Sequence, residues 1–141
     1  MGFLDAVLGI EKSQKKVHNT GKPFNVSMKF VPIRLSSGKE GKMDLEIQIE
    51  NATSEYQLVS VDALLPKQVM IGFDPTGINK HIEKRLGEIK PAETKTAIIT
   101  IWSNSQTKEG EYPIEITFYS HYLEYNKVLN YIKKKLTIRV V

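Results

Sequence analysis

Between Met43 and Glu50 apolar and polar residues alternate without a break, Met43, Leu45, Ile47 and Ile49 against Asp44, Glu46, Gln48 and Glu50. A period of two places successive side chains on opposite faces of an extended chain, so this stretch reads as a β-strand with one face in a core. The same period recurs in Phe24, Val26, Met28 and Phe30, in Tyr112, Ile114, Ile116 and Phe118, and in Leu136, Ile138 and Val140. Further strands are expected over Tyr56 to Leu65, Val69 to Phe73 and Thr94 to Trp102, the last apolar on both faces and therefore read as central and well covered. Turn chemistry separates them, notably Ser36 to Gly41, Asn51 to Glu55 and Asp74-Pro75-Thr76-Gly77. Ile78, Ile82 and Leu86 recur at helical spacing, but the run is short and its neighbours are strand-like, so strand or loop is preferred.

Seven to eight short strands divided by turns imply an all-β antiparallel sandwich. Its extent is 23–141, one domain in a chain of 141 residues. Its core should include Phe24, Val26, Met28, Phe30, Leu45, Ile47, Ile49, Val61, Ile99, Ile101, Tyr112, Ile114, Ile116, Phe118, Leu136, Ile138 and Val140.

Two shorter pieces precede that domain. Residues 13–22 are polar and Lys-rich and read as a linker. Residues 1–12 carry Phe3, Leu4, Val7, Leu8 and Ile10 at partly helical spacing, the pattern of a short amphipathic helix. Phe3, Val7 and Ile10 share one side and Leu4 and Leu8 an adjacent one, making an apolar surface that is costly to leave in water. Three covers are open: the sandwich itself, another subunit in a homo-oligomer, or a membrane interface, to which Lys12, Lys15 and Lys16 would add attraction. Ala6 stands where a myristoylation signal wants Ser or Thr.

Composition narrows the function classes. The net charge is +4, and no stretch approaches the length of a spanning helix or reads as an export leader. With zero Cys there is no disulfide, thiolate metal site or cysteine nucleophile, which fits a reducing, cytoplasmic setting. His18, His81 and His121 show no metal-ligand spacing, and no phosphate-binding, nucleophile-elbow or calcium-loop motif occurs. No catalytic site and no cofactor are therefore expected. Asp44, Glu46 and Glu50 share a strand face and read as its solvated side. The glycosylation patterns at Asn25-Val26-Ser27 and Asn51-Ala52-Thr53 read as chance matches.

The segment from Leu86-Gly87-Glu88-Ile89-Lys90-Pro91-Ala92-Glu93-Thr94 through the strand ending at Trp102, then Gly110-Glu111-Tyr112-Pro113-Ile114, resembles immunoglobulin-like sandwich modules of the adhesion or adaptor-appendage type. Ala92 stands where such turns usually carry glycine, Ile114 where antibody domains carry their second cysteine, and Trp102 lies outside the strand where those domains bury theirs. A tyrosine after a turn glycine can return its hydroxyl to the turn backbone, a role for which Tyr112 is placed. The resemblance implies a non-catalytic interaction or adaptor module with a protein partner.

The terminal hairpin holds the strongest candidate contacts: Tyr119, His121, Tyr122, Tyr125 and Tyr131 with Lys127, Lys133, Lys134, Lys135 and Arg139. Aromatic rings beside cations can stack bases and neutralise phosphates, so single-stranded nucleic acid is the alternative ligand for Tyr119, His121, Tyr122, Tyr125, Lys127, Lys133, Lys135 and Arg139. Lysines on a last strand equally serve to block edge-to-edge association.

Overall fold

The computed structural model describes residues 23–141, so the expected amino-terminal helix and linker lie outside the described residues. Eight strands follow in order: β1 Phe24–Val31, β2 Gly41–Asn51, β3 Gln57–Leu64, β4 Ile71–Gly72, β5 His81–Ile89, β6 Thr94–Ser103, β7 Gly110–His121 and β8 Val128–Val140. They form two four-stranded sheets, β1-β2-β6-β4 and β5-β3-β7-β8, whose pairings are all antiparallel. The all-β, two-sheet architecture read from the alternation therefore holds.

The inward phase of each central strand is sealed. Leu45, Ile47 and Ile49 on β2, Val59, Val61 and Ala63 on β3, Ile99 and Ile101 on β6, and Ile114, Ile116 and Phe118 on β7 are fully buried. Each large aliphatic side chain buried in this way contributes about 1.5–3 kcal/mol relative to exposure. Of the expected core, Val26, Met28, Phe30, Tyr112 and Leu136 are only partly buried. Leu35, Met43, Leu65, Ile71, Phe73 and Ile89 join the core from turns, strand ends and β4.

Three expectations change in detail. β6 is central in pairing, between β2 and β4, but Ile98 on its outer face is 47% exposed, because among the described residues no further layer packs on that side. The apolar run Val69 to Phe73 pairs only at Ile71 and Gly72, where a Cβ on Gly72 would lie 2.7 Å from the Gly77 backbone. The segment of helical spacing is strand β5, and Leu86 is its extra residue: Gly87 faces Val59 and Arg85 faces Ser60. Ile82 and Leu86, four residues apart, share a side by the ordinary period of two, which the bulge breaks only beyond Leu86.

The expected tyrosine corner is present. Tyr112 donates its hydroxyl to the Lys108 carbonyl at 2.8 Å, and a side chain on Gly110 would meet that hydroxyl at 3.2 Å. Ala92 adopts φ 65°, the left-handed conformation that glycine takes more readily, within the turn joining β5 to β6.

Candidate interaction surface at the β7–β8 end

The outer face of the second sheet gathers most of the candidate residues. Ser60 on β3 faces Tyr119 on β7, and Tyr119 faces Tyr131 on β8. The Tyr119 and Tyr131 rings lie 6.2 Å apart, Tyr119 and His121 6.0 Å apart, and Tyr125 stands edge-on to His121 at 5.1 Å. The Tyr125 hydroxyl accepts the Gly87 amide at 2.9 Å, and the Arg85 guanidinium sits 4.7 Å from its ring centre. Tyr125 thus folds the 122–127 turn back over the sheet toward β5. A short local ladder, with the Tyr122 and Lys127 amides donating to the Lys127 and Glu124 carbonyls, shapes that turn.

His121 lies beneath these rings and is only 6% exposed, so it supports the surface from below. Its Nε2 is 2.7 Å from the Ser60 hydroxyl, while Nδ1 is buried with no hydrogen bond of ordinary geometry. Burial holds its pKa below the ordinary histidine value; Glu83 and Asp62 pull it upward and Arg85 pushes it further down.

The cations form a less coherent array. Tyr131, Lys133, Lys135 and Arg139 share the outward phase of β8, a file about 26 Å long from Tyr131 to Arg139 at the strand rise. Arg139 is 3.9 Å from Glu111, Lys127 is 3.5 Å from Glu124, and Lys135 is registered opposite Glu115. The carboxylates cut the positive field of this file. Lys134 falls on the inward phase of the edge strand yet is exposed, an arrangement that discourages a further strand from pairing there.

What the hairpin does expose is apolar. Within ten residues Tyr122, Leu123, Val128, Leu129 and Tyr131 are 55%, 76%, 52%, 62% and 58% exposed. Leu129 is the extra residue of a second bulge, since His121 faces Val128 and Ser120 faces Asn130. Unlike the tyrosines, Leu123, Val128 and Leu129 carry no sequence signal, since no motif marks them.

Elsewhere the sequence carried no signal for the Lys80 ammonium, which donates to the carbonyls of Val69, Ile71 and Gly77, the last at 2.7 Å. Desolvation lowers its pKa, with Asp74 opposing. The Asp74 carboxyl is itself held below the usual carboxylate value chiefly by the Thr76 hydroxyl at 2.7 Å. Asp44 accepts the Thr100 hydroxyl at 2.7 Å, Glu46 lies 3.7 Å from Lys29 and Glu50 accepts the Asn25 amide at 3.0 Å, as a solvated strand face would. Asn51, within one glycosylation pattern, is buried and spends its amide on the Glu55 and Ile89 carbonyls. Phe3, Leu4, Val7, Leu8 and Ile10, the expected docking or membrane contacts, lie outside the described residues.

No family model and no curated protein sequence matches the chain. Among solved structures, it is similar to Pseudomonas fluorescens alkylpurine DNA glycosylase AlkC bound to DNA containing an abasic site analog. That match has a TM-score of 0.48 and 11% identity over 85% of this chain, and the chain spans only 31% of the glycosylase. It is also similar to the ASH / PapD-like domain 7 of human CEP192, with a TM-score of 0.42 and 15% identity over 97% of this chain and 96% of that one.

Proposed function

We propose that the chain is an immunoglobulin-like, non-catalytic module that binds another protein in the cytoplasm through the β7–β8 end. The observation that carries this reading is the run of exposed apolar residues Tyr122, Leu123, Val128, Leu129 and Tyr131, gathered within ten residues at one end of the two-sheet frame. The frame supports the immunoglobulin-like part of the reading. β1-β2-β6 and β3-β7-β8 follow the A-B-E and C-F-G orders of those domains, with β4 in the D position, and Tyr112 makes the corner bond. β5 is an addition outside β3.

Paired purifications from source cells test it, one with the native chain and one with Leu123→Ser/Leu129→Ser, both residues being too exposed for the change to unfold the domain. A partner retained by the native chain and lost by the variant is the expected outcome. Equal recovery by both, or the chain alone in both, would overturn it.

The Tyr119–Tyr131 ring pair beside Lys133 and Lys135 favours single-stranded nucleic acid as a second reading. It is the weaker one, because Glu111, Glu115 and Glu124 oppose the neighbouring cations. Binding to a labelled single strand that weakens steeply with salt, with a slope reduced in Lys133→Ala/Lys135→Ala, would promote it.

A further inference from the structure

The turn at residues 122–127 is held closed from three directions. On β5 the Gly87 amide donates to the Tyr125 hydroxyl at 2.9 Å, and the Arg85 guanidinium lies 4.7 Å from the Tyr125 ring centre. Beneath the turn the His121 ring stands edge-on to Tyr125 at 5.1 Å. Within it the Tyr122 amide donates to the Lys127 carbonyl at 2.8 Å. The closed form is not one that the local backbone prefers. Leu123 adopts φ 67°, a left-handed conformation that an L-residue leaves when nothing holds it. Two bulges, at Leu86 and Leu129, fall at this same end and interrupt the ladders on either side of the turn. Tyr125 is therefore the side chain that fastens a strained turn to β5.

His121 sits where a proton decides whether that fastening holds. Its Nε2 is 2.7 Å from the hydroxyl of Ser60, which is 1% exposed, and its Nδ1 is buried with no hydrogen bond of ordinary geometry among the described residues. A neutral imidazole fits this place, because the Ser60 hydroxyl serves either ring tautomer, whereas an imidazolium brings a second N–H to satisfy and a charge to hydrate. Burial is the largest influence on its titration and disfavours the charge. Of the groups facing it, Glu83 on β5 and Asp62 on β3 favour the proton and Arg85 on β5 opposes it, while the Lys127 carbonyl favours it but already accepts the Tyr122 amide. Asp62 is drawn to His81 at 3.2 Å and the Lys127 ammonium to Glu124 at 3.5 Å. β7 presents Tyr119 at 6.0 Å, and β8 contributes Val128 in register with His121 and Tyr131 behind Tyr119. We infer that the 122–127 turn is a proton-operated latch on the apolar surface: it stays shut over neutral His121 and swings off β5 when His121 takes up a proton, carrying Tyr122 and Leu123 away from Val128 and Leu129. The inference rests on that surface being the partner site and adds its regulation, a partner held at neutral pH and released on acidification.

Linkage is reciprocal, so if the closed turn disfavours the proton, opening the turn must restore it. In the full chain, followed by ring NMR with His81 as the internal reference, Tyr125→Ala should raise the His121 pKa toward the ordinary histidine value. Amide exchange gives a second reading in proteins that keep Tyr125. Between pH 7.5 and 5.5, corrected for the intrinsic pH dependence of exchange, the Gly87 amide should lose about fivefold or more of its protection in the native chain and none in His121→Gln, whose side-chain amide keeps a partner for Ser60 at both pH values. An unchanged His121 titration in Tyr125→Ala, or equal behaviour of Gly87 in the native chain and His121→Gln, would overturn the latch. The partner retained in the paired purification should elute at pH 5.5 from the native chain and stay on His121→Gln; elution from both would overturn the regulation. The first two readings use the chain alone, so the latch and the partner surface can fail independently.

Discussion

The two long sides of the sandwich end in different ways. On the β4–β5 side, polar ties close the gap. Lys95 on β6 reaches across to the Leu86 carbonyl of β5 at 3.0 Å, Asn51 holds the Ile89 carbonyl, Lys80 gathers three carbonyls beside β4, and Tyr125 caps the Gly87 amide. On the β1–β8 side the Leu35 strap and the Ser37 amide on the Val141 carbonyl tie the far end, while Val26, Met28, Phe30 and Leu136 are half covered. An edge strand must satisfy its outward backbone groups or deter others from doing so. On one side this protein ties several of those groups with side chains, whereas on the other it leaves core residues half covered and sets lysines along β8.

The largest expected effect compares two residues in register. Ile47→Ala removes a fully buried side chain and should cost about 2–5 kcal/mol, whereas Met28→Ala, its half-buried partner on the edge strand, should cost about 1 kcal/mol. Urea unfolding of the two variants beside the native chain measures this. Equal costs would break the comparison by showing that the edge lip is covered as fully as the centre.

How far the sequence disclosed all this follows from the physics of each element. Alternation reports which face of a strand looks inward, so β2 and β7 were legible. It does not report whether a strand is central or marginal, so Val26, Met28 and Leu136 looked as secure as Ile47. Tyr112 was legible because its glycine and spacing define the corner bond. Lys80 was not, since its partners are main-chain carbonyls and any residue type can supply them. The hairpin was legible in part: its tyrosines attract notice, but the bulge at Leu129 re-aims side chains in a way spacing cannot foretell, and the burial of His121 depends on Tyr125 folding back onto β5.

A smaller effect tests the closed side. Lys80→Met keeps the length of the stem and removes the donor, leaving the Val69, Ile71 and Gly77 carbonyls without it. Hydrogen bonds from charged groups and unmet acceptors place the cost at about 2 kcal/mol. Hydrogen exchange should show the loss locally, with the Phe73 amide, which bonds the Asn79 carbonyl, becoming more labile while β1 is unaffected. A uniform change across both sides would mean that Lys80 is not a tie belonging to one flank.

The smallest effect concerns His121, under the turn that Tyr125 folds against β5. Its folded-state pKa is depressed by burial, so as pH falls the unfolded chain takes up that proton first. Stability from this group is therefore complete above the unfolded value of about 6.5 and declines as pH falls from there to the lower folded value, below which it changes no further. Protonation also puts a cation close to Arg85, whose charge already opposes it. Chemical unfolding at pH 7.5 and 5.5 should show the native chain losing more stability on acidification than His121→Gln. Tyr125 fluorescence should report the turn loosening before β2 unfolds. Equal acid sensitivity in the two proteins would detach the turn from His121 and leave the holding of Tyr125 to the Gly87 amide and Arg85.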